Sequence, residues 1–245
     1  MQMDIGKAFT FIGEDPKWVN KLLIGGALII AGILAIFTIV GWLFVFAIVF
    51  GYLVQLTRNV IAQQPQPLPE WTDFGALMVD GFKAFVVMLV MSLPAVLVTL
   101  VLVVPGAILS AVDQSGGGSG AAGGVLTGAG YCLAFPISLL VYLVLPIAIG
   151  RYAVTRSIGA ALQFGPIFAT LRANFVTYLL VLLMFIVTQF VGQLGILLCG
   201  IGLPFTAFYA SLVQYHLYGQ AHLKTQGSLP GYGQPQQAYP PAFPY

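Results

Sequence analysis

The chain has 245 residues, of which 59% are hydrophobic and 7% are charged, with nine Lys and Arg against seven Asp and Glu. A soluble domain carries roughly 25% charged residues, so this composition excludes a soluble enzyme and a disordered chain. The formal net charge of +2 provides no basic surface for phosphates, which excludes a nucleic-acid-binding protein. The composition therefore predicts an all-α integral membrane protein.

Four long stretches contain no charged residue, and each exceeds the roughly 18 apolar residues that mark a transmembrane helix. They cover residues 22–57, 84–112, 114–150 and 173–223. Because about 20 residues cross a bilayer, the first and last stretches are long enough for two helices each. We expect the first to turn near Thr38 to Trp42. The sequence thus predicts six transmembrane helices arranged as three hairpins.

The positions of the charges predict the orientation of these spans. With six spans, all nine Lys and Arg lie on one side of the bilayer and only Asp113 lies on the other. The positive-inside rule assigns the basic side to the cytoplasm. A five-span alternative distributes the basic residues over both sides. We therefore expect a multi-pass protein of the cell membrane with both termini in the cytoplasm.

A short amphipathic helix is predicted before each hairpin. Ile5, Ala8 and Ile12 share one helical face, and Phe74, Leu77, Met78, Phe82 and Phe85 do so before the second hairpin. Such helices beside a span lie in the headgroup plane on the cytoplasmic side. Trp18 and Trp71 are the predicted interface anchors.

The predicted organisation has seven parts. They are an interfacial helix (1–21), a first hairpin (22–58), a Pro-rich linker with an interfacial helix (59–83), a second hairpin (84–150) with a Gly-rich outer loop (113–124), an interfacial segment (151–172), a third hairpin (173–223) and a disordered Tyr, Pro and Gln tail (224–245).

Several short motifs lie in the N-terminal part of the chain: Lys7-Ala8-Phe9, Asp15-Pro16-x-Trp18, Gly51-Tyr52, Leu68-Pro69-Glu70-Trp71 and Asp80-Gly81. This set resembles an uncharacterised integral-membrane family of unknown function found in archaea and bacteria. The resemblance implies several membrane spans and a prokaryotic source. It implies no catalytic residue.

The most polar group within the predicted spans lies on the third hairpin. Gln189 and Gln193 are four residues apart and share a helical face, and Ser211 and Gln214 on the returning helix can meet them. The four residues form either a polar path for a substrate or interhelical hydrogen bonds, which are worth about 0.6 kcal/mol each. Interhelical contact is the favoured interpretation.

No catalytic, cofactor-binding or metal-binding residue is predicted. The segment Gly118 to Gly123 has the letters of a dinucleotide fingerprint, but it lacks the strand and acid of such a site and is interpreted as a connector. His216 and His222 are six residues apart and do not share a face for one metal ion. Whether Cys132 and Cys199 pair stays open.

Two functions of different classes follow. The first is a non-enzymatic scaffold or accessory subunit of a membrane complex, with no cofactor. Its expected partners are membrane lipids and a protein bound in the membrane or through the C-terminal tail, and nucleic acid is not among them. The alternative is a permease or exporter of an uncharged or amphiphilic small molecule. An ion-driven carrier is disfavoured because no ionisable residue lies at the centre of a predicted span.

Overall fold

The computed structural model describes residues 3–112, 119–198 and 200–226, and this part of the chain is helical, with no strand. Its α-helices are α1 (Ile5–Thr10), α2 (Trp18–Leu34), α3 (Ile39–Ile61), α4 (Phe74–Val98), α5 (Val104–Val112), α6 (Ser119–Thr155), α7 (Ile158–Ala161), α8 (Phe164–Ala173), α9 (Phe175–Gln193) and α10 (Leu203–Thr225). The predicted all-α class is confirmed. The chain divides into a first unit, Met1–Val87 with Pro146–Tyr245, and a second unit, Met88–Leu145.

Five helical stretches of the described residues are long and apolar enough to cross a membrane: Trp18–Phe37, Gly41–Ile61, Phe74–Val112, Gly120–Thr155 and Phe175–Leu197. The composition of these stretches agrees with a membrane protein. The predicted sixth span, α10, is not among them. Its 23 residues give it a length of about 35 Å, which is enough to cross a membrane. Its polar side chains, and not its length, therefore keep it from being counted among the apolar stretches.

Helix α10 forms the core of the first unit. It packs against α1, α2, α3 and α9, and Phe208, Val213, Leu217 and Ala221 are fully buried along its length. Since neighbouring helices cover this helix on several sides, it does not need an apolar surface for lipid. This burial explains why hydropathy alone does not select α10.

Helix α1 uses its apolar face against α10. Ala8 is buried, as are Phe11 and Ile12 in the 3-10 turn that follows α1. The phenol of Tyr209 donates to the Phe9 carbonyl at 2.8 Å. These residues therefore contact α10 of the same chain. That α1 lies at the membrane surface stays a prediction.

The turn between α2 and α3 lies at Thr38. Its backbone is extended (φ −116°, ψ 104°), and its hydroxyl donates to the Ala35 carbonyl at 3.0 Å. The turn is close to its predicted place, but Gly41 and Trp42 are already helical. The apolar helical stretches contain 20 residues in Trp18–Phe37 and 21 in Gly41–Ile61. Each is about 30 Å long, which is enough for a hydrocarbon core.

The second predicted interfacial helix is not a separate element. Helix α4 starts at Phe74 and continues past the predicted boundary at Lys83, through a π-helical turn at Thr99–Val103, into α5. Nothing breaks the helix at Lys83 because no proline or turn signal lies there, and Pro94 further along is accommodated within α4. The uninterrupted stretch of 39 residues is about 58 Å long, which is far more than a hydrocarbon core requires.

Two glycines bring α3 and α4 into backbone contact in the first unit. A Cβ at Gly51 would overlap the carbonyl group of Leu77, and a Cβ at Gly81 would overlap the carbonyl group of Ala47. Only glycine permits this close an approach of two main chains. The crossing fixes the part of α4 that carries Asp80 and Lys83 against α3.

In the second unit, α5 and α6 approach each other through small residues. A Cβ at Gly106 would lie 2.8 Å from the Gly123 carbonyl oxygen, and one at Gly130 would lie 2.7 Å from a Val103 methyl group. Residues 119–124 of the predicted outer loop belong to α6, whereas Asp113 and residues 114–118 lie outside the described residues. A Cβ at Gly124 or Gly128 would meet no atom within 4 Å, so these two glycines do not take part in the close approach.

The predicted interfacial segment 151–172 contains the end of α6 and most of two short helices. Arg156 ends α6 in the left-handed region (φ 53°), and the Ser157 hydroxyl caps α7 by accepting from the Ala160 N–H. Helix α8 has Pro166 in its first turn, where proline is tolerated. Cys199 and residues 227–245 of the predicted tail lie outside the described residues.

Candidate functional site

A buried ion pair lies where α2 begins. The Lys21 ammonium donates to Asp15 Oδ2 at 2.6 Å and to the Leu68 carbonyl at 3.1 Å, and it lies 3.0 Å from Glu70 Oε1. The Trp71 indole N–H donates to the Lys21 carbonyl at 3.1 Å. The side chains of Lys21 and Asp15 are each 5% exposed. These five residues, the Lys21 cluster, attach the segment 68–71 to the start of α2.

The Lys21 cluster keeps Asp15 ionised. Burial raises the pKa of the Asp15 carboxyl group, but the hydrogen bond from Lys21, the backbone N–H of Lys17 and the charges of both lysines together outweigh it. The pKa therefore lies below its usual value of 3.8. At neutral pH the Asp15 carboxyl group is therefore a fixed negative charge.

Trp71, a predicted interface anchor, is partly buried in the first unit, and its anchoring role stays a prediction. Its ring stacks on Tyr52 with ring centroids 4.0 Å apart, and the Tyr52 hydroxyl donates to the Pro69 carbonyl at 2.9 Å. Tyr52 is fully buried. Trp18, the other predicted anchor, is 39% exposed, and its anchoring role stays a prediction.

A second polar group joins α3, α4 and α6 within the first unit. The Arg58 guanidinium donates to Asp80 Oδ2 at 3.1 and 3.2 Å and to the Ala153 carbonyl at 2.9 Å. The Tyr152 hydroxyl lies 3.1 Å from the Asp80 carbonyl and 3.4 Å from Asp80 Oδ1. These four residues form the Asp80 cluster. This cluster was not predicted from the sequence, because Arg58 and Asp80 lie on different helices. The pattern that could have indicated it is the presence of two opposite charges, each beside an apolar stretch.

The predicted polar group of the third hairpin is brought together only in part. Gln214 is buried on α10, and its carbonyl accepts from the Thr188 hydroxyl of α9 at 3.1 Å. Gln189 and Gln193 are exposed on α9. Ser211 donates within α10, to the Ala207 carbonyl at 2.8 Å. The interhelical contact is therefore made by Thr188, the residue before Gln189.

The two histidines of α10 have separate surroundings. His216 stacks on Phe11 with ring centroids 4.1 Å apart, and its Nδ1 lies 3.3 Å from Gln220 Nε2. His222 is buried beside Gly150. No group of three or more His, Cys, Asp or Glu that could hold a metal ion occurs in the described part of the chain.

An open apolar groove lies between α3 and α4, and we refer to it as the α3–α4 groove. Its volume is about 310 Å³. It is lined by Leu43, Phe44, Ala47, Met78, Val79, Phe82 and Lys83. Six of these residues are apolar, and Lys83 contributes the charge. The groove can accept an apolar chain next to a cation.

A protein-family comparison gives one match. The family described as protein of unknown function (DUF4013) matches residues 30–201, about seven tenths of the chain. The match includes α3 to α9 but ends before α10, and it begins after Asp15 and Lys21. No curated protein and no solved structure matches the chain.

Proposed function

The chain belongs to the DUF4013 family of proteins of unknown function, and we propose that it acts as a non-enzymatic scaffold or accessory subunit of a membrane complex. The observation that supports the proposal is that buried charges are paired within the chain. Lys21 is bound by Asp15 and Glu70, and Arg58 is bound by Asp80. Separating the partners of such a pair leaves an uncompensated charge, which favours the arrangement of elements that keeps the pair together.

A rigid arrangement favours a structural role over a transport cycle. Carriers rock one bundle against another around a central site, which requires contacts that can open. Here the Lys21 cluster attaches the segment 68–71 to α2, and the Asp80 cluster joins α3, α4 and the end of α6, through hydrogen bonds of 2.6–3.2 Å. A first unit held in this way is suited to presenting a fixed surface to another membrane protein.

The proposed topology has six spans, with α10 as the sixth, and places both termini in the cytoplasm. Helix α10 has the required length, and its polar residues lie against neighbouring helices of the first unit. Lys21 at the start of α2 and Arg58, Arg151 and Lys224 near the ends of α3, α6 and α10 then lie at one bilayer surface. This distribution follows the positive-inside rule.

Co-purification from native membranes tests the proposed role. We expect the full chain, tagged and extracted in mild detergent, to bring down one or more proteins in a fixed ratio. A matched multi-pass protein with the same tag is the control for detergent carry-over. A variant that lacks residues 227–245 distinguishes a partner bound in the membrane from one bound by the tail. A clean monomer or homodimer would refute the proposal.

One observation favours the alternative role of a permease or exporter of an uncharged or amphiphilic molecule. The amide nitrogen of Gln214 is buried, and no hydrogen-bond acceptor for it lies within the described residues. A passing polar solute can supply that acceptor. If this role is correct, liposomes containing the protein will take up glycerol, and Gln214→Leu will abolish the uptake while Gln189→Leu at an exposed position will not. Liposomes that match protein-free controls would exclude it.

A further inference from the structure

We propose that the α3–α4 groove binds one anionic phospholipid, with an acyl chain in the groove and the headgroup phosphate at the Lys83 ammonium. The inference depends on the membrane environment and not on the scaffold role. It also assigns a ligand class to a surface that the Lys21 and Asp80 clusters do not use.

The shape of the groove follows from the glycine contact between the two helices. Gly51 and Gly81 let α3 and α4 touch, and the larger side chains next to this contact enclose a space of about 310 Å³. That volume lies at the lower end of the roughly 300–1,000 Å³ typical of small-molecule sites. Phe44, Val79 and Phe82 at the rim are each about half exposed, so the groove is open to the surrounding lipid.

The charge of Lys83 specifies the ligand. Among the described residues, no Asp or Glu oxygen lies within 4.0 Å of its ammonium group. The nearby Asp80 pairs with Arg58 and not with Lys83, since Arg58 binds its Oδ2 and Tyr152 lies close to its Oδ1. A lysine stem lies along apolar surface while its ammonium group reaches the headgroup level. There the ammonium group attracts anionic lipid.

The same charge argues against other occupants. An apolar helix of a partner laid in the groove would cover Lys83 without supplying an acceptor, and a buried unpaired charge is costly. A neutral lipid fills the groove but gains less from the ammonium group. An anionic amphiphile satisfies both the apolar lining and the cation.

Native mass spectrometry of the full chain in detergent tests the inference. The probes are phosphatidylglycerol and phosphatidylcholine with the same acyl chains. We expect phosphatidylglycerol to bind more tightly, and Lys83→Gln to weaken its binding about fivefold, equivalent to about 1 kcal/mol for one lysine at an anionic lipid surface. Lys83→Arg should retain the preference. Val79→Trp, which fills the groove, should weaken the binding of both lipids.

Lys7→Gln is the matched control, because Lys7 is exposed on α1 and the substitution removes the same charge. Equal binding of the two lipids to the unmodified protein would overturn the inference, as would wild-type binding by Lys83→Gln. If Lys83→Gln does not fold, Val79→Trp decides, and unchanged lipid binding by that variant refutes the site. A photo-crosslinker replacing Phe82 must capture lipid in native membranes, and capture of a protein instead would assign the groove to a partner.

Discussion

Gly81 is the residue at which a single methyl group has the largest expected effect on the α3–α4 contact. A Cβ there overlaps the Ala47 carbonyl, and main-chain atoms cannot rotate out of the way as a side chain can. We expect Gly81→Ala to lower the free energy of unfolding by about 3 kcal/mol, the upper part of the usual cost of overpacking. Thermal unfolding of the purified protein in detergent measures the change.

Gly165→Ala is the control for that substitution. A Cβ at Gly165 meets no atom within 4 Å, and the residue is in the first turn of α8 in the same unit. Because alanine favours helix more than glycine does, the control should be neutral or stabilising by up to about 1 kcal/mol. Equal unfolding temperatures for the two variants would contradict the backbone contact.

Asp15 makes stability depend on pH. Its pKa in the folded protein is below 3.8, so the stabilisation from its ionised form is fully present above that value and is lost as the pH falls through the folded pKa. We expect the stability advantage of the wild type over Asp15→Asn to be constant from pH 7 to pH 5 and to shrink below about pH 3.8. Unfolding temperatures of both proteins across this range measure it.

The informative quantity is the difference in unfolding temperature between the wild type and Asp15→Asn, since every other carboxyl group titrates in both proteins. Glu70→Gln serves as a comparison, because the Glu70 side chain is 52% exposed at the edge of the same cluster. An advantage over Asp15→Asn that stays constant down to pH 3 would show that Asp15 is not held ionised by Lys21.

Individual contacts within apolar helices were the least predictable feature of the sequence. Gln214 was expected opposite Gln189 and Gln193, but Thr188 meets it. Helix α9 is apolar around most of its circumference, so its hydrophobic pattern does not define which side faces α10. The contacts of Trp71 were missed for a related reason. An aromatic residue near a span is typical of both an interface anchor and a packed ring, and the local pattern does not encode its stacking on Tyr52.

Among the elements, α1 shows what an amphipathic pattern does and does not predict. The periodicity predicts the helix and its apolar face. It does not identify what covers that face. Asp4 and Gln220 exchange two hydrogen bonds of 2.8 and 2.9 Å between the start of α1 and α10, a contact over 216 positions that no local pattern encodes.

Phe11 tests the docking of the N-terminal segment. It is fully buried and stacks on His216, so Phe11→Ala should cost about 3–5 kcal/mol and release α1 from α10. Hydrogen exchange of residues 5–14 should then become fast while exchange in α9 changes little. Phe37→Ala is the control, since Phe37 is 93% exposed and the substitution is chemically identical. Unchanged protection of residues 5–14 in Phe11→Ala would disprove the docking.

The long helices were predictable because about 20 apolar residues without charge leave few alternatives to a spanning helix. The apolar stretches and the turn near Thr38 follow from that rule. Two features of the whole molecule do not. Helix α4 continues past Lys83 since no break signal lies there, and α10 has too many polar residues to be selected by hydropathy although it is the core of the first unit. Tertiary burial overrides local composition in the case of α10.

The number of spans is therefore decided by α10, and cysteine labelling can measure it. In a Cys132→Ser, Cys199→Ser background, single cysteines replace Lys7, Thr38 or Lys224, which lie on α1, in the α2–α3 turn and at the end of α10. If α10 crosses the bilayer, Lys7 and Lys224 lie on the same side, so we expect a membrane-impermeant maleimide on intact cells to label only the cysteine at position 38.

The same reagent should label the other two positions after the cells are permeabilised, which also shows that these variants are present in the membrane. Five spans predict a different pattern, since the end of the chain then lies on the opposite side from α1. Labelling of the cysteine at position 224 in intact cells would show that α10 does not cross the bilayer. Lys224 would then lie on the opposite side from Lys21, Arg58 and Arg151. The positive-inside argument for the orientation depends on all four residues lying on one side.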